Sequence, residues 1–352
     1  MFLKLKGIEQ RKKDHIDLCL KKEVETDNAF WYDDIFLLHR MGTIDKNKID
    51  LTTHFLGKKI NYPFIIEAMT GGFKYGEKIN KNLAIAAGEL NIPIGVGSQR
   101  AMLENKKQKS TYDLKKFSKK IPILISNIGL VQFCQKEYSI KNINELSGDI
   151  DADAIAIHLN SAQEALQKDG DVNFQNSFEI LKKIIFNSNI PVIVKETGCG
   201  TIKEDCLKIA HTGVSLIDIA GNCGTSFTKI ETLRRKDKFG MCFNNWGIPT
   251  TISTIEANSC GVSIIASGGV RNGIHCAKLI RLGASYTGFA LPLLESATKS
   301  PEDVIEKINE IAEELRTTMF LCGAKNIDAL KKIPIVVVGK TKEWMEQREL
   351  SI

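Results

Sequence analysis

The stretch HLNSAQE, residues 158–164, sets an imidazole, two carboxamides and a carboxylate within seven residues. Glu164 offers the oxygen donor that a hard cation prefers, while His158, Asn160 and Gln163 supply neutral hydrogen-bonding groups. Cationic groups stand elsewhere. RKKDH at 11–15 contributes Arg11 and Lys12, and GSQR at 97–100 contributes Ser98, Gln99 and Arg100. These suit phosphate oxygens, which a guanidinium binds as a fork and an ammonium as a point charge. Lys195 closes the apolar run PVIVKE. Glycine turns MTGG at 69–72, GCGT at 198–201, GNCGT at 221–225 and SGGVR at 267–271 let backbone N–H groups approach an anion, and Arg271 adds a charged fork. That is more phosphate-compatible backbone than a small sugar phosphate requires, which points to a large cofactor and leaves room for a second anionic ligand.

Each group also has a plainer role. RKKDH reads equally as an exposed basic patch, His158 as a hydrogen-bonded core histidine, Gln163 as a residue flanking a helix, and Lys195 as the partner of Glu196 or another rim acid. Gly268, Gly269 and Gly273 would serve a simple strand-to-helix turn. Position in the fold separates the two kinds of role.

From residue 60 onward, short β-branched runs alternate with longer amphipathic segments: YPFIIEAM, IPIGVG, IPILISNIG, DAIAIHLN, IPVIVKETG, VSLIDIAG, VSIIASGG and YTGFAL. Nearly continuous apolar runs are the mark of parallel strands covered by helices, and KINKNLAIAAGELN, SFEILKKIIFNSN and IHCAKLIRLGA read as such helices. Eight units within roughly 240 residues predict an α/β fold, a closed (β/α)8 TIM barrel. A doubly wound open sheet is the alternative, but the GxGxxG loop it uses after its first strand is absent. Residues 1–59 are expected to form an N-terminal extension contributing basic substrate-binding residues, and residues 60–352 the catalytic barrel with C-terminal helices, all within one domain. A barrel works at the C-terminal ends of its strands, and Thr70, Ser98, Gln99, Arg100, Asn127, His158, Asn160, Lys195, Thr225 and Arg271 all fall there.

Composition excludes several classes. With 43% hydrophobic and 26% charged residues among 352, the chain is neither disordered nor a membrane protein, and it has no run near the roughly 20 apolar residues of a span. The start MFLKLKGIEQRKK lacks the apolar core of a signal peptide, so a cytoplasmic protein is expected. Nine cysteines form no CxxC pair, which suits free thiols in a reducing compartment. The net charge of +6 is spread along the chain, and no nucleic-acid motif accompanies it.

RKKDH, MTGG, GSQR, HLNSAQE, VKETGCG, GNCGTSFTKIE, NWGIPT and SGGVR together resemble the type 2 isopentenyl-diphosphate isomerases, over most of the chain. The resemblance implies an FMN-containing, Mg2+-dependent TIM barrel that interconverts isopentenyl and dimethylallyl diphosphate without net redox change. NADPH or another reductant would prepare the flavin. It assigns Ala68, Met69, Thr70, Ser98, Asn127, Lys195 and Thr225 to FMN, with Gly269, Arg271, Ala290 and Leu291 around its phosphate. Arg11, Lys12, Ser98, Gln99 and Arg100 go to the diphosphate, Gln163 to the hydrocarbon region or its water, and Glu164 to Mg2+. His158 and Asn160 look like further active-site or substrate-positioning residues, and Lys195 would face the N1–C2=O side of the flavin. A homotetramer or larger homo-oligomer is implied as well. The sequence departs from the family at Ala220 and Cys223, in and beside GNCGT, and in LLHRM around His39. An FMN oxidase or dehydrogenase of a small anionic substrate, and a non-enzymatic FMN-binding redox sensor, are the alternatives.

Overall fold

In a computed structural model describing residues 2–135, 137–235 and 237–352, eight parallel strands close into a barrel. They are β1 (Phe64–Ile66), β2 (Ile94–Gly95), β3 (Leu124–Gly129), β4 (Ala154–Leu159), β5 (Val192–Glu196), β6 (Leu216–Asp218), β7 (Ser263–Ala266) and β8 (Tyr286–Phe289). All eight expected runs supply a barrel strand. Helices follow the strands as the alternating pattern requires. One is α2 (Lys74–Leu90), which buries Ile79, Leu83, Ala84, Ala87 and Leu90 on one face and stops where Asn91 turns left-handed at φ +51°.

The two-residue period of a strand sorts side chains between two cores. Phe64, Ile66, Leu124, Ile155, Ile157, Val192, Val194 and Ile217 point outward into the large helix-facing core. Ile65, Ile125, Ala156, Ile193, Leu216 and Ile265 fill the barrel interior with Phe55, Ile60 and Tyr286. Phe55 and Ile60 come from a hairpin, Thr53–Phe55 with Lys58–Ile60, that plugs the barrel floor from below. Its Phe55 ring meets Tyr286 at 4.8 Å between centroids.

Residues before the barrel also reach its upper face. Helix α1 (Phe2–Lys21) contacts the short helix α3 (Arg100–Glu104), α5 (Phe227–Arg235) and the helix Leu291–Lys299. At the other end of the chain, α6 (Pro301–Cys322) is capped by the Ser300 hydroxyl, has proline at its first position, and ends at Gly323 with φ +73°. Strand Ile335–Val337 then pairs antiparallel with Ile35–Leu37, and helix α7 (Gly339–Gln347) follows. Among the described residues no helix is long and apolar enough to cross a membrane.

Candidate active site

Strand parity builds the floor of the site. Two positions beyond the inward-facing Ile65, Ile125, Ala156, Ile193, Leu216 and Ile265 come Glu67, Asn127, His158, Lys195, Asp218 and Ser267, so the same period that fills the barrel turns six polar side chains toward its upper end. Register sets their neighbours: His158 lies opposite Lys195 across β4 and β5, and Lys195 opposite Asp218 across β5 and β6. The Lys195 ammonium bonds to Asp218 and, at 2.9 Å, to Glu67. Burial opposes its charge, but the two acids outweigh burial and push its pKa up. Glu196, the other candidate partner, instead accepts the N–H groups of Thr197, Gly198 and Cys199 at 2.6, 2.7 and 2.6 Å. His158 shares a hydrogen bond of 2.7 Å between its Nδ1 and Asn127 Oδ1. Burial, with Lys195 and Lys12 nearby, lowers its pKa to about 3, so the ring is neutral.

Above this floor a cavity of about 1310 Å3, counting the space open at its mouth, takes in nearly every expected site residue. Ala68, Met69, Ser98, Asn127, Lys195, Thr225, Gly269, Arg271, Ala290 and Leu291 line one part of it, and Arg11, Lys12, Arg100, His158, Asn160, Gln163 and Glu164 another. Thr70 and Gln99 stand behind its wall. The Thr70 carbonyl accepts from Gly97 N–H and the Asn80 amide, and the Gln99 carboxamide is spent on Ser126, Asn127 N–H and the Leu146 carbonyl. The Gln99 side chain thus ties the end of β2 to β3, whereas the Thr70 hydroxyl is buried without a hydrogen bond.

The cations differ in how they are held. Lys12 donates to the carbonyls of Gly71 at 2.8 Å and Ser98 at 2.7 Å and to the Tyr112 hydroxyl, all neutral acceptors, and burial beside Arg11 lowers its pKa to about 7. Arg11 makes no hydrogen bond or ion pair with the described residues, although Glu164 acts on it from farther off. Arg100 is saturated by comparison, with Asp171 at 2.8 Å, Glu137 at 3.1 Å and Glu104 at 3.3 Å. Its diphosphate role would have to be shared with three carboxylates.

Asn160 ends the β4 segment and opens α4 (Ser161–Leu166), which presents Gln163 and Glu164. Asn160 Nδ2 donates to Glu164 Oε1 at 2.8 Å, leaving Asn160 Oδ1 buried without a hydrogen bond. Glu164 Oε2 accepts from Asp171 N–H at 2.8 Å, and burial raises the Glu164 pKa. No group of three or more His, Cys, Asp and Glu side chains among the described residues is arranged for a metal. One carboxylate and an orphaned amide oxygen do fit a hard cation that draws most of its shell from water and an anionic ligand. Gln163 donates to Glu231 Oε1 at 3.3 Å, and the same oxygen meets His15 Nε2 at 2.8 Å. Glu231 is buried, yet His15 and Arg234 lower its pKa to about 2.

The glycine turns make a cradle from backbone alone. Gly268 and Gly269 have φ of +99° and +76°, and a Cβ on them would come within 2.0 Å of Gly221 O and 1.9 Å of Cys223 O. No other residue fits there. Ala220, at the family departure, takes φ +29° and lines the cavity, while Cys223 Sγ accepts from Thr250 N–H at 3.2 Å. The N-terminal extension braces this turn: Glu25 bridges Thr225 and pairs with Arg271, and Tyr32 donates to Gly268 O at 3.1 Å while stacking on His275. His39, the other departure, is exposed.

Sequence reasoning did not single out Glu67, Asp218, His15, Glu231 or Glu25. The first two were open to parity, since each sits two residues after an inward isoleucine or leucine. The others meet partners more than 200 positions away, and no local pattern announces them.

A family model for FMN-dependent dehydrogenases matches residues 135–336. An isopentenyl-diphosphate delta-isomerase from Pyrococcus furiosus is 45% identical, covering 96% of this chain and 89% of its own. That of Methanothermobacter thermautotrophicus is 42% identical over 97% of both chains, and that of Methanococcus maripaludis 40% over 97% and 99%. Among solved structures, a mandelate oxidase variant with a monooxide FMN adduct superposes with a TM-score of 0.65 at 15% identity, covering 94% of this chain and 100% of its own, a likeness of fold.

Proposed function

The chain belongs to the isopentenyl-diphosphate delta-isomerase family, and on that premise we propose that it moves the double bond of isopentenyl diphosphate to give dimethylallyl diphosphate, using reduced FMN and Mg2+. The observation behind this reading is the pair Arg11 and Lys12, two cations on the cavity wall without a bonded carboxylate. A buried positive charge that the protein leaves uncompensated favours a polyanionic ligand.

Isomerisation removes an allylic proton and adds another at the far alkene carbon, so it demands accurate placement of an unreactive chain more than a strong side-chain base. Arg11 and Lys12 anchor the diphosphate, fixing the hydrocarbon end by binding energy spent away from the reacting carbons. Gln163 has no useful basicity. Held by Glu231, it orients the alkene or a water. His158 and Asn160 line the same end, and the neutral His158 ring offers a hydrogen bond without a competing charge.

Asn127, Lys195, Ala68, Met69 and Ser98 would hold the FMN ring, and Thr225, Gly269, Arg271, Ala290 and Leu291 its phosphate-bearing chain. Reduced FMN supplies an electron-rich ring face and an acid/base group. Mg2+ would sit at Glu164, with Asn160 Oδ1 beside it, and neutralise diphosphate charge. NADPH as reductant, a cytoplasmic setting and a homotetramer or larger assembly complete the proposal, on the strength of the family resemblance.

Anaerobic proton NMR in deuterated water with FMN, Mg2+, NADPH and isopentenyl diphosphate tests it. Dimethylallyl diphosphate carrying deuterium, formed only when reductant is present, is the expected result. No product from enzyme shown to hold reduced FMN overturns the assignment.

A further inference from the structure

Beneath the cavity, two carboxylates share one ammonium. Glu67 and Asp218 are only 7% and 2% exposed, and both bond to Lys195. Asp218 is fully used, its Oδ1 accepting from the Ser267 hydroxyl at 2.7 Å and Ala220 N–H at 3.2 Å. Glu67 is not. Its Oε2 is on Lys195, but Oε1 has no partner and lies against Gly288, where a Cβ would approach to 2.1 Å. Leaving a carboxylate oxygen buried and bare is costly, and two adjacent carboxylates resist joint ionisation, so Oε1 is where a proton would reside. Burial, then Asp218, raises the Glu67 pKa to about 7. The titratable groups around it are Lys195 on β5, Asp218 on β6 and, beyond Lys195, His158 on β4. The positions on β3, β7 and β8 carry Asn127, Ser267 and Gly288.

We propose that Glu67 is a positioning residue for flavin charge: it takes up a proton from solvent when bound FMN is reduced, releasing Lys195 from one of its two acids to face the flavin. The inference rests on the reading of this floor as an FMN site. In balanced form, FMN takes a hydride, two electrons and one proton, from a nicotinamide-type donor and gains one negative charge. The Glu67 carboxylate separately takes one proton from water and loses one. No bond forms between Glu67 and the flavin.

The test is an anaerobic potentiometric titration of the holoenzyme from about pH 6 to about pH 10. Each proton bound on reduction changes the equilibrium tenfold per pH unit, about 29.6 mV for a two-electron couple. The wild-type potential is expected to fall by about 59 mV per pH unit over a window opening near pH 7, and by about half that outside it. Glu67→Gln should show the smaller slope throughout, and Glu67→Asp should restore the steeper one. A single-proton slope across the whole range in wild type overturns the proposal, as does the same steep window in Glu67→Gln. Should Glu67→Gln fail to hold FMN, the wild-type curve decides. An FMN-loaded protein with the steep window but no isomerase activity would sink the functional reading while supporting this inference, and an active isomerase with a single-proton slope would do the reverse.

Discussion

Lys12 and Lys195 are half-buried lysines of one cavity with opposite surroundings. Lys12 rests on two carbonyls and a phenol, with its pKa drawn down to about 7, while Lys195 is clasped by two carboxylates that push its pKa up. The arginines repeat the contrast, Arg11 without an ion pair among the described residues and Arg100 with three. Counter-charge is built in where a cation must stay put and withheld where a ligand brings its own.

The harshest way to break this contrast is Lys195→Met. It strands Glu67 and Asp218, so apparent stability in urea should fall by about 3–5 kcal/mol and FMN should be lost on gel filtration. Lys12→Met strands no acid. Stability and flavin content should hold, while KM for isopentenyl diphosphate rises by about 10- to 150-fold, the worth of a charged hydrogen bond of about 1.5–3 kcal/mol. Steady-state kinetics with the flavin spectrum as control would separate the two outcomes.

A pH profile sharpens the same point without mutation. Lys12 has a lowered pKa, so its charge is present below about pH 7 and lost above it. In the free enzyme kcat/KM should therefore fall by up to about tenfold per pH unit on the alkaline side, and Lys12→Arg should abolish that limb, since guanidinium stays charged. The smallest effect belongs to the brace around the glycine turn. Tyr32→Phe keeps the ring stacked on His275 and removes only the hydroxyl bonded to Gly268, for about 0.5–1.5 kcal/mol in the same urea titration.

Eight strands were legible because a short apolar run between helix-like segments is a local signal. The cavity wall was legible wherever a motif ended a strand, as at Lys195, Asn127 and His158. The partners of side chains that bond far along the chain were not legible. Gln99 and Arg100 stand in one short motif, yet Gln99 bonds to Ser126 on β3 and to the Leu146 carbonyl of a later helix, and Arg100 to Glu137 and Asp171 in two later loops. RKKDH looked like a surface patch because the barrel face it covers is written more than 50 residues away.

The long reach of the N-terminal extension also sets an order of events during synthesis. His15 waits for Glu231, Glu25 for Thr225 and Arg271, and Tyr32 for Gly268, separations of 200 residues or more. Contacts of that span form late, because the loop they close carries the largest entropic penalty. A segment that leaves the ribosome well before the barrel is thus among the last to find its seat, and a nascent chain with six strands complete still has nowhere to dock Glu25 and Tyr32 beside β7.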